Sequence, residues 1–462
     1  GLTPFTVRQI ASRVNTAFVS LWAVCVLLFF SITTFSVGMG MVSVFTDGIE
    51  EANPYSATLS AEVYSGDPID SVRSTSTDAS ARARAMQAEA PERYENAVAH
   101  GWNMAAPLIA AAPEEWDETI SAYAQMDLYN LPDATYGSLL RSIGPEAEAR
   151  IEDLHSSLAS TNLGVISVSD MNAVRSLTGE DPIILGDGEC VLANNMEVSA
   201  AIAKDIAASG VSFETLGHTL TFTHQIIDTQ IEDNSLKATA LAIVVPDEVI
   251  AALRAAGAIP HRSLLDVMYA DNGRTEAQND EALEAIVAAA QPLSLGGFDQ
   301  GFSGSDDTYA HLLWPVTRVI TAFEMIVQAS GLKMMITYLA LYIGLIFLLS
   351  TAAVLAVQQL SQTADSLPRY RMLSRIGCSA PMINRSLLIQ VLVYFLLPLG
   401  VAACHASCAI SVLSKELFDA LGTSVIGPIS MAAVLVAVIY GGYLLVTYLT
   451  SRSVVSSSLH AR

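Results

Sequence analysis

The sequence predicts a membrane protein in which four transmembrane α-helices carry a large α+β extracellular domain between the first and the second helix. Three observations predict this class. Hydrophobic residues make up 52% of the 462-residue chain, and its mean hydropathy of +0.43 is too apolar for an ordinary soluble protein of this size. The apolar residues are concentrated in four long runs, and the positive charges are distributed unevenly between these runs.

Four apolar runs lack Asp, Glu, Lys and Arg, and each is long enough to cross a hydrocarbon core that takes roughly 20 residues. They occupy residues 17–42, 334–357, 387–412 and 431–450. The first run is too long for the apolar region of a signal peptide, and no small-residue cleavage site follows it, so we interpret it as a retained anchor. Because residue 1 is Gly rather than Met, we expect the chain to be the C-terminal part of a longer protein.

The distribution of basic residues predicts the orientation of these helices. The short segments 1–16, 358–386 and 451–462 together contain eight arginines and one acidic residue. Lys and Arg in short loops are retained on the cytoplasmic side of a membrane, so we expect these three segments in the cytoplasm. Residues 43–333 and the loop 413–430 are then expected outside.

Residues 1–16 fit an amphipathic helix that lies on the inner membrane surface. Val7, Ile10, Ala11 and Val14 recur at helical spacing with polar residues between them. A cytoplasmic extension of the first span explains the pattern equally well, and the two interpretations are compatible.

The outer segment, residues 43–333, mixes strand and helix patterns and is long enough for one large or two small domains. Its clearest unit is a strand from Leu163 to Val168, followed by a helix from Asp170 to Thr178 that Ser169 caps and Gly179 ends. We therefore expect an α+β domain.

Further strand patterns follow this unit. Residues 182–185 and 189–193 flank a Gly-Asp-Gly turn and predict a hairpin. Residues 238–245 predict a strand, after which a helix is expected over 246–253.

A helical stalk is expected just before the second span. Pro315 suits a first helical turn, and apolar residues follow it at helical spacing as far as Val327. Segments 72–90 and 295–307 predict loops.

The loop over 358–386 contains a short predicted helix between Pro368 and Gly377. Tyr370, Leu373 and Ile376 are expected on one face of it, and Arg371 and Arg375 on another. Arginines four residues apart on a helix repel each other by a few tenths of a kcal/mol, which favours an acidic partner. The alternative is that they only fix the topology and contact lipid head groups. A second helix is expected to begin at 379–381 and to continue into the third span, with a kink at Pro398.

Catalytic motifs are not found. The sequence has no nucleotide-binding phosphate loop, no zinc-protease motif, no nucleophile elbow and no paired Cys-x-x-Cys. His218 and His224 are expected on the same face of a strand, where two ordinary histidines are favoured over a metal site because no third ligand is evident. We expect no enzymatic activity, no cofactor and no nucleic-acid partner.

Several stretches of the chain are distinctive, namely AVQQLSQTADSLPRYRMLSRIG from Ala356 to Gly377, MINRSL from Met382, VYFLLP from Val393, ISVSDMN from Ile166, LTG from Leu177 and VVPD from Val244. These stretches resemble permeases of bacitracin-efflux ABC transporters, which belong to the FtsX-like class. The resemblance covers the last third of the chain closely and the outer domain in patches.

The resemblance implies ten spans, with the large outer domain between the seventh and the eighth, and a separate ATPase dimer that binds ATP and Mg²⁺ and contacts the inner loops. Four spans are present here, so six more are expected to precede residue 1. ATPase closure would move the inner helix, and the spans would relay the movement. The residues of the matching motif to which this coupling role is assigned are Arg369, Arg371, Leu373, Arg375, Ile376, Gly377, Met382 and Ile383.

The predicted function is that of a permease subunit in a bacterial cell membrane that confers resistance to antimicrobial peptides or senses them. Residues 43–333 contain 43 acidic and 14 basic residues, which would attract cationic peptides or lipid-linked peptides, although solubility alone also explains the excess. Membrane lipids and a membrane histidine kinase are further expected partners. The alternatives are a cell-division type of membrane protein that regulates wall hydrolases, and a membrane-anchored ectoenzyme.

Overall fold

The structure is a computed structural model that describes residues 14–62, 91–154, 158–291, 314–414 and 426–460. The chain forms two compact units, one made of Gly1–Thr46 and Ser330–Arg462 and the other of Asp47–Ala329. The described helices are α1 (Val14–Glu51), α2 (Pro91–Ala99), α3 (Ala105–Ala111), α4 (Pro113–Thr119), α5 (Tyr136–Ile143), α6 (Pro145–Leu154), α7 (Val168–Leu177), α8 (Glu197–Ser209), α9 (Asp247–Ala255), α10 (Glu276–Ala290), α11 (Ala322–Arg375), α12 (Ala380–Leu413) and α13 (Ile426–His460). The described strands are β1 (Ala57–Glu62), β2 (Ile120–Thr135), β3 (Asn162–Ser167), β4 (Glu189–Ala193), β5 (Ser212–Thr215), β6 (His218–Ile227), β7 (Ala242–Val245), β8 (Arg262–Tyr269) and β9 (Arg318–Thr321).

Four of the described helices are long and apolar enough to cross a membrane, namely α1, α11, α12 and α13. Their candidate spans are Phe18–Glu51, Ala322–Arg375, Ala380–Leu413 and Ile429–Ser458. Each of these four helices includes one of the four apolar runs of the sequence. The prediction of four helices long and apolar enough to cross a membrane is confirmed for the described residues.

The four long helices share one apolar core. Leu28 of α1, Leu348 of α11, Phe395 of α12 and Val436 of α13 are buried together in it. Small residues let α1 and α11 approach closely, because a Cβ added to Gly38 would lie 2.2 Å from the Cβ of Ala340. Close packing through small residues is the usual way in which membrane helices associate.

A mixed nine-stranded sheet forms the centre of the second unit in the described residues, in the order β5-β6-β4-β7-β3-β2-β8-β1-β9. The pairs β3–β7 and β4–β6 are parallel and the remaining neighbours are antiparallel. Helices pack against the sheet and close three apolar clusters. The prediction of an α+β domain is confirmed.

The predicted strand–helix unit is present as β3 and α7, with a different cap. Ser167 accepts a hydrogen bond from the Asp170 backbone N–H at 3.0 Å and caps the helix in place of Ser169. Ser169 instead donates its hydroxyl to Asp247 at 2.9 Å. The predicted strand before Pro246 and the helix after it are also present, as β7 and α9.

The hairpin predicted across residues 186–188 is wrong. Residues 182–185 form no strand, because the Asn172 side chain bonds both the carbonyl and the N–H of Ile183 and holds this segment beside α7. Strand β4 pairs with β6 and β7 instead.

The predicted stalk helix is partly wrong. Residues 318–321 form the edge strand β9, which pairs antiparallel with β1, and the helix begins only at Ala322. Val316 and Val319 are buried in a core of the sheet domain, which accounts for the apolar spacing that suggested a helix.

The short helix predicted between Pro368 and Gly377 is also not separate. Helix α11 continues through Pro368 to Arg375. A proline inside a helix removes one backbone hydrogen bond, and Tyr370, two residues after it, is fully buried. The expectations for residues 1–13, 72–90 and 295–307 lie outside the described residues.

Candidate functional site

The candidate site is the tight turn that joins α11 to α12. Helix α11 ends at Arg375, and Gly377 has the left-handed φ of 95° that favours glycine at a helix end. The Cys378 N–H donates to the Leu373 carbonyl at 3.0 Å and closes the turn. Ser379 is the N-cap residue of α12, whose first turn contains a proline.

A buried cluster of four residues fixes this turn to the helices. Tyr370, Ile383, Leu387 and Val455 pack together, and they come from α11, α12 and α13. The Tyr370 hydroxyl donates to Gln390 Oε1 at 3.2 Å. The ends of three long helices are therefore held together directly beside the turn.

Polar contacts link the C-terminal part of α13 to α11. Arg371 Nε donates to the Ser458 carbonyl at 3.2 Å, where a positive charge also suits the negative end of the helix dipole. The Thr363 hydroxyl donates to Ser451 Oγ at 3.4 Å. Movement of the turn would therefore act on α13 as well as on α11 and α12.

Exposed apolar side chains surround the turn. Met372 is 64% exposed, Ile376 73% and Met382 41%. Four arginines flank them, all with exposed side chains. We call this set the turn surface, and it consists of Arg369, Arg371, Met372, Arg375, Ile376, Met382 and Arg385.

The eight residues to which the resemblance assigns a coupling role fall into two groups that differ in exposure. Six are exposed, namely Arg369, Arg371, Arg375, Ile376, Gly377 and Met382. Leu373 is partly buried against the cluster beside the turn, and Ile383 is 1% exposed within it. These two position the turn and do not offer a contact surface.

The expected common face of Tyr370, Leu373 and Ile376 is not formed. Tyr370 is fully buried whereas Ile376 projects from the turn after the end of α11. Met372 was not assigned a role from the sequence, although its spacing of four residues from Ile376 is that of neighbours on one helix face.

The two histidines of β6 have separate partners. His218 Nδ1 lies 3.9 Å from Glu248 Oε1, and His224 Nδ1 lies 2.7 Å from the Ala207 carbonyl oxygen. Within the described parts of the chain, no group of three or more His, Cys, Asp or Glu side chains is arranged to hold a metal ion.

Buried carboxyl groups in the sheet domain were not found by sequence analysis. Asp127 accepts hydrogen bonds from Ser263, Gln125 and Arg254. Burial and the nearby Asp127 charge raise the pKa of Asp170 to about 6. Asp233 and Asp266 are a second pair of buried carboxyl groups in this domain. In the sequence, these residues are indistinguishable from the many exposed acids.

No family model matches the chain, and no curated protein matches it. The resemblance of residues 356–377 to bacitracin-efflux permeases therefore stays a prediction. The turn surface consists of exposed apolar side chains surrounded by positive charge.

Proposed function

We propose that the chain is the permease subunit of an ABC transporter in a bacterial cell membrane, and that a separate ATPase dimer binds its turn surface. The observation that carries this proposal is the exposure of Met372, Ile376 and Met382 between arginines at the turn between two apolar helices. Exposed apolar groups with a polar rim are typical of protein interfaces. The arginines would meet acidic residues of the ATPase.

The packing around the turn supports a mechanical role. Force applied to the turn surface would pass through the buried Tyr370 and Ile383 to α11, α12 and α13, which all contribute to the buried cluster beside the turn. Helix α11 has no break between Ala322 and Arg375, and it begins directly after β9 of the sheet domain. We propose that ATP hydrolysis in the partner moves the turn and that α11 carries this movement toward the sheet domain.

The ligand proposed for the sheet domain is a cationic antimicrobial peptide, free or bound to lipid. The support is the excess of 43 acidic over 14 basic residues in segment 43–333. Such a field attracts positive ligands over about 8 Å at physiological salt. We propose that this domain faces the exterior, and that a membrane histidine kinase can act as a second partner.

Charge reversal tests the coupling proposal. The double variant Arg371→Glu, Arg375→Glu should lose co-purification with the ATPase encoded beside this chain, and cells should lose peptide resistance. Arg452→Glu is the matched control, because this arginine is also exposed in α13 but lies outside the turn surface.

Apolar variants separate protein binding from lipid contact. Ile376→Ser and Met372→Ser keep every charge, so an interface predicts weaker ATPase binding, whereas lipid head-group contact predicts no change. Unchanged ATPase binding and resistance in both the charge and the apolar variants would refute the proposal. Recovery of a wall hydrolase without an ATPase would favour the cell-division alternative.

A further inference from the structure

A short segment after β6 is fastened to the chain that leaves α1. This segment, residues 229–235, is called the clasp here. The Asn234 N–H donates to the Ala52 carbonyl at 3.1 Å, and Asn53 Nδ2 donates to the Asn234 carbonyl at 2.8 Å. The Tyr55 hydroxyl donates to the Gln230 carbonyl. The clasp thus bonds the first residues that follow Glu51, the end of α1.

Two fully buried carboxyl groups meet beneath the clasp. Asp233 belongs to the clasp and Asp266 to β8, and both are 0% exposed. Thr58 of β1 links them, because its hydroxyl accepts from the Asp233 N–H at 2.9 Å and donates to Asp266 Oδ1 at 2.6 Å. Asp233 Oδ1 in turn accepts from the Tyr55 N–H at 3.1 Å.

Each carboxyl group keeps one oxygen without a partner. Within the described residues, Oδ2 of Asp233 and Oδ2 of Asp266 are buried and accept no hydrogen bond. A buried ionised carboxylate that lacks partners is strongly unfavourable, and a second one nearby adds repulsion. Two such oxygens, on carboxyl groups that Thr58 links, therefore favour a bound proton over two ionised carboxylates.

The neighbouring arginines form their ion pairs with Glu232, although the charge of Arg262 also acts on Asp266 and partly opposes the rise of its pKa. Arg262 donates to both carboxylate oxygens of Glu232, at 2.8 Å for Nη1 to Oε1. Arg318 Nη2 lies 3.5 Å from the same carboxylate. Both guanidinium groups are thereby committed to Glu232. The other titratable or charged groups that act on this pair, or on the two tyrosines beside it, are Tyr55, Arg175, Glu180, Tyr269, Glu276 and Asp280.

We propose that Asp233 and Asp266 form a proton-binding pair in which a retained proton holds the clasp against the sheet and its loss to water loosens the clasp. With the proton present, at least one carboxyl is neutral and the Thr58 link joins two groups that do not repel. With both groups ionised, two buried negative charges repel each other, and the nearby Arg262 is shared with the carboxylate of Glu232. The proposal does not depend on the function proposed above.

The direction of the pH effect follows from the same environment. Burial raises the pKa of Asp233 to about 8, and burial together with the Asp233 charge raises the pKa of Asp266 well above its usual value. An unfolded chain releases these protons near pH 4. The stabilisation by the proton is therefore complete below about pH 4 and is lost as the pH rises through about 8.

Limited proteolysis of the full chain in detergent tests the clasp. The rate of cleavage within 229–235, with the cut sites identified by mass spectrometry, should increase about tenfold per pH unit above pH 8 if one proton controls opening. The double variant Asp233→Asn, Asp266→Asn is neutral at both positions at every pH, so its clasp should be cut at nearly the same rate at pH 6 and pH 9. Asp228→Asn is the matched control, since Asp228 lies next to the clasp and is exposed, and it should keep the wild-type pH profile. The protease's own pH dependence is measured on a free peptide.

A spectroscopic measurement on the wild-type protein decides the question if the variants do not fold. The infrared band of a protonated carboxyl group should be present at pH 7 and should weaken as the pH rises through about 8. Absence of such a band, or a pH-independent rate of clasp cleavage, would overturn the proposal. So would protection at pH 6 that requires Ca²⁺ and is lost on chelation, because a metal ion and not a proton would then bind the pair.

Discussion

Two glycines determine how closely the long helices α1 and α11 approach. A Cβ at Gly38 would lie 2.2 Å from the Cβ of Ala340, and a Cβ at Gly344 would lie 2.7 Å from the ring of Phe35. A Cβ added at either glycine would therefore force the two helices apart. By contrast, a Cβ at Gly441 of α13 would meet no atom within 4 Å.

Gly38→Ala should destabilise the helical unit by about 1–3 kcal/mol, because overpacking of a tight contact costs this much. The measurement is the thermal midpoint of the detergent-solubilised protein. Gly441→Ala should leave the midpoint unchanged or raise it slightly, since alanine is the better helix former. Equal midpoints for the two variants would show that α1 and α11 are not in close contact.

Asp170 should make the sheet domain less stable as the pH rises. Its pKa is raised to about 6 by burial and by the Asp127 charge, whereas the unfolded chain titrates near 4. The stabilisation is therefore complete below about pH 4 and is lost as the pH rises through about 6. A shift of this size corresponds to roughly 3 kcal/mol.

Asp170→Asn should remove this part of the pH dependence, which is checked by comparing thermal midpoints at pH 4.5 and pH 7.5. Asp187→Asn, an exposed carboxyl in the same domain, should keep the wild-type difference. If Asp170→Asn also keeps the wild-type difference in thermal midpoint, the folded protein does not raise the pKa of Asp170.

The N-terminus of α7 distinguishes two serines that look equivalent in the sequence. Ser167 accepts from the Asp170 N–H at 3.0 Å, while Ser169 donates to Asp247 at the surface. Ser167→Ala should cost about 1 kcal/mol of unfolding free energy through the loss of the cap. Ser169→Ala should cost less, because an exposed hydrogen bond contributes little, and chemical denaturation measures both. A larger loss of unfolding free energy for Ser169→Ala would indicate that Ser169 caps the helix, as the sequence predicts.

The elements that the sequence predicts well are those with a strong local pattern. The four long helices follow from uncharged apolar runs, and β3–α7 and β7–α9 follow from a buried strand before a capping residue. Strand β9 was predicted as helix because its pairing with β1 joins residues more than 250 positions apart. The spacing of Val316 and Val319 could not reveal that partner.

The candidate site was predicted in the same uneven way. Composition and resemblance indicated the segment 369–383, but not which side chains are exposed. Ile383 is buried because α12 packs it against Tyr370 and Val455, and Met372 is exposed because it lies on the opposite side of the same helix turn. The buried pair Asp233 and Asp266 is invisible in sequence because 33 residues separate its members and Thr58 of another strand joins them.

The proposed function requires that the turn surface and the sheet domain lie on opposite sides of one membrane. The arginines of 358–386 predict the cytoplasm for the turn, and among the described residues one candidate span, that of α11, lies between the turn and the sheet domain along the chain. Ser379 and Ile184 are exposed positions in the turn and in the sheet domain. Single cysteines at these positions, in a background without the five native cysteines, report the side of each.

A membrane-impermeant thiol reagent added to intact cells should label Ile184→Cys and leave Ser379→Cys unlabelled. Breaking the cells should expose Ser379→Cys to the same reagent, which controls for reactivity. Labelling of Ser379→Cys in intact cells would place the turn surface outside, where a cytoplasmic ATPase has no access to it. The coupling proposal would then be wrong even though the four helices and the sheet domain remained as described.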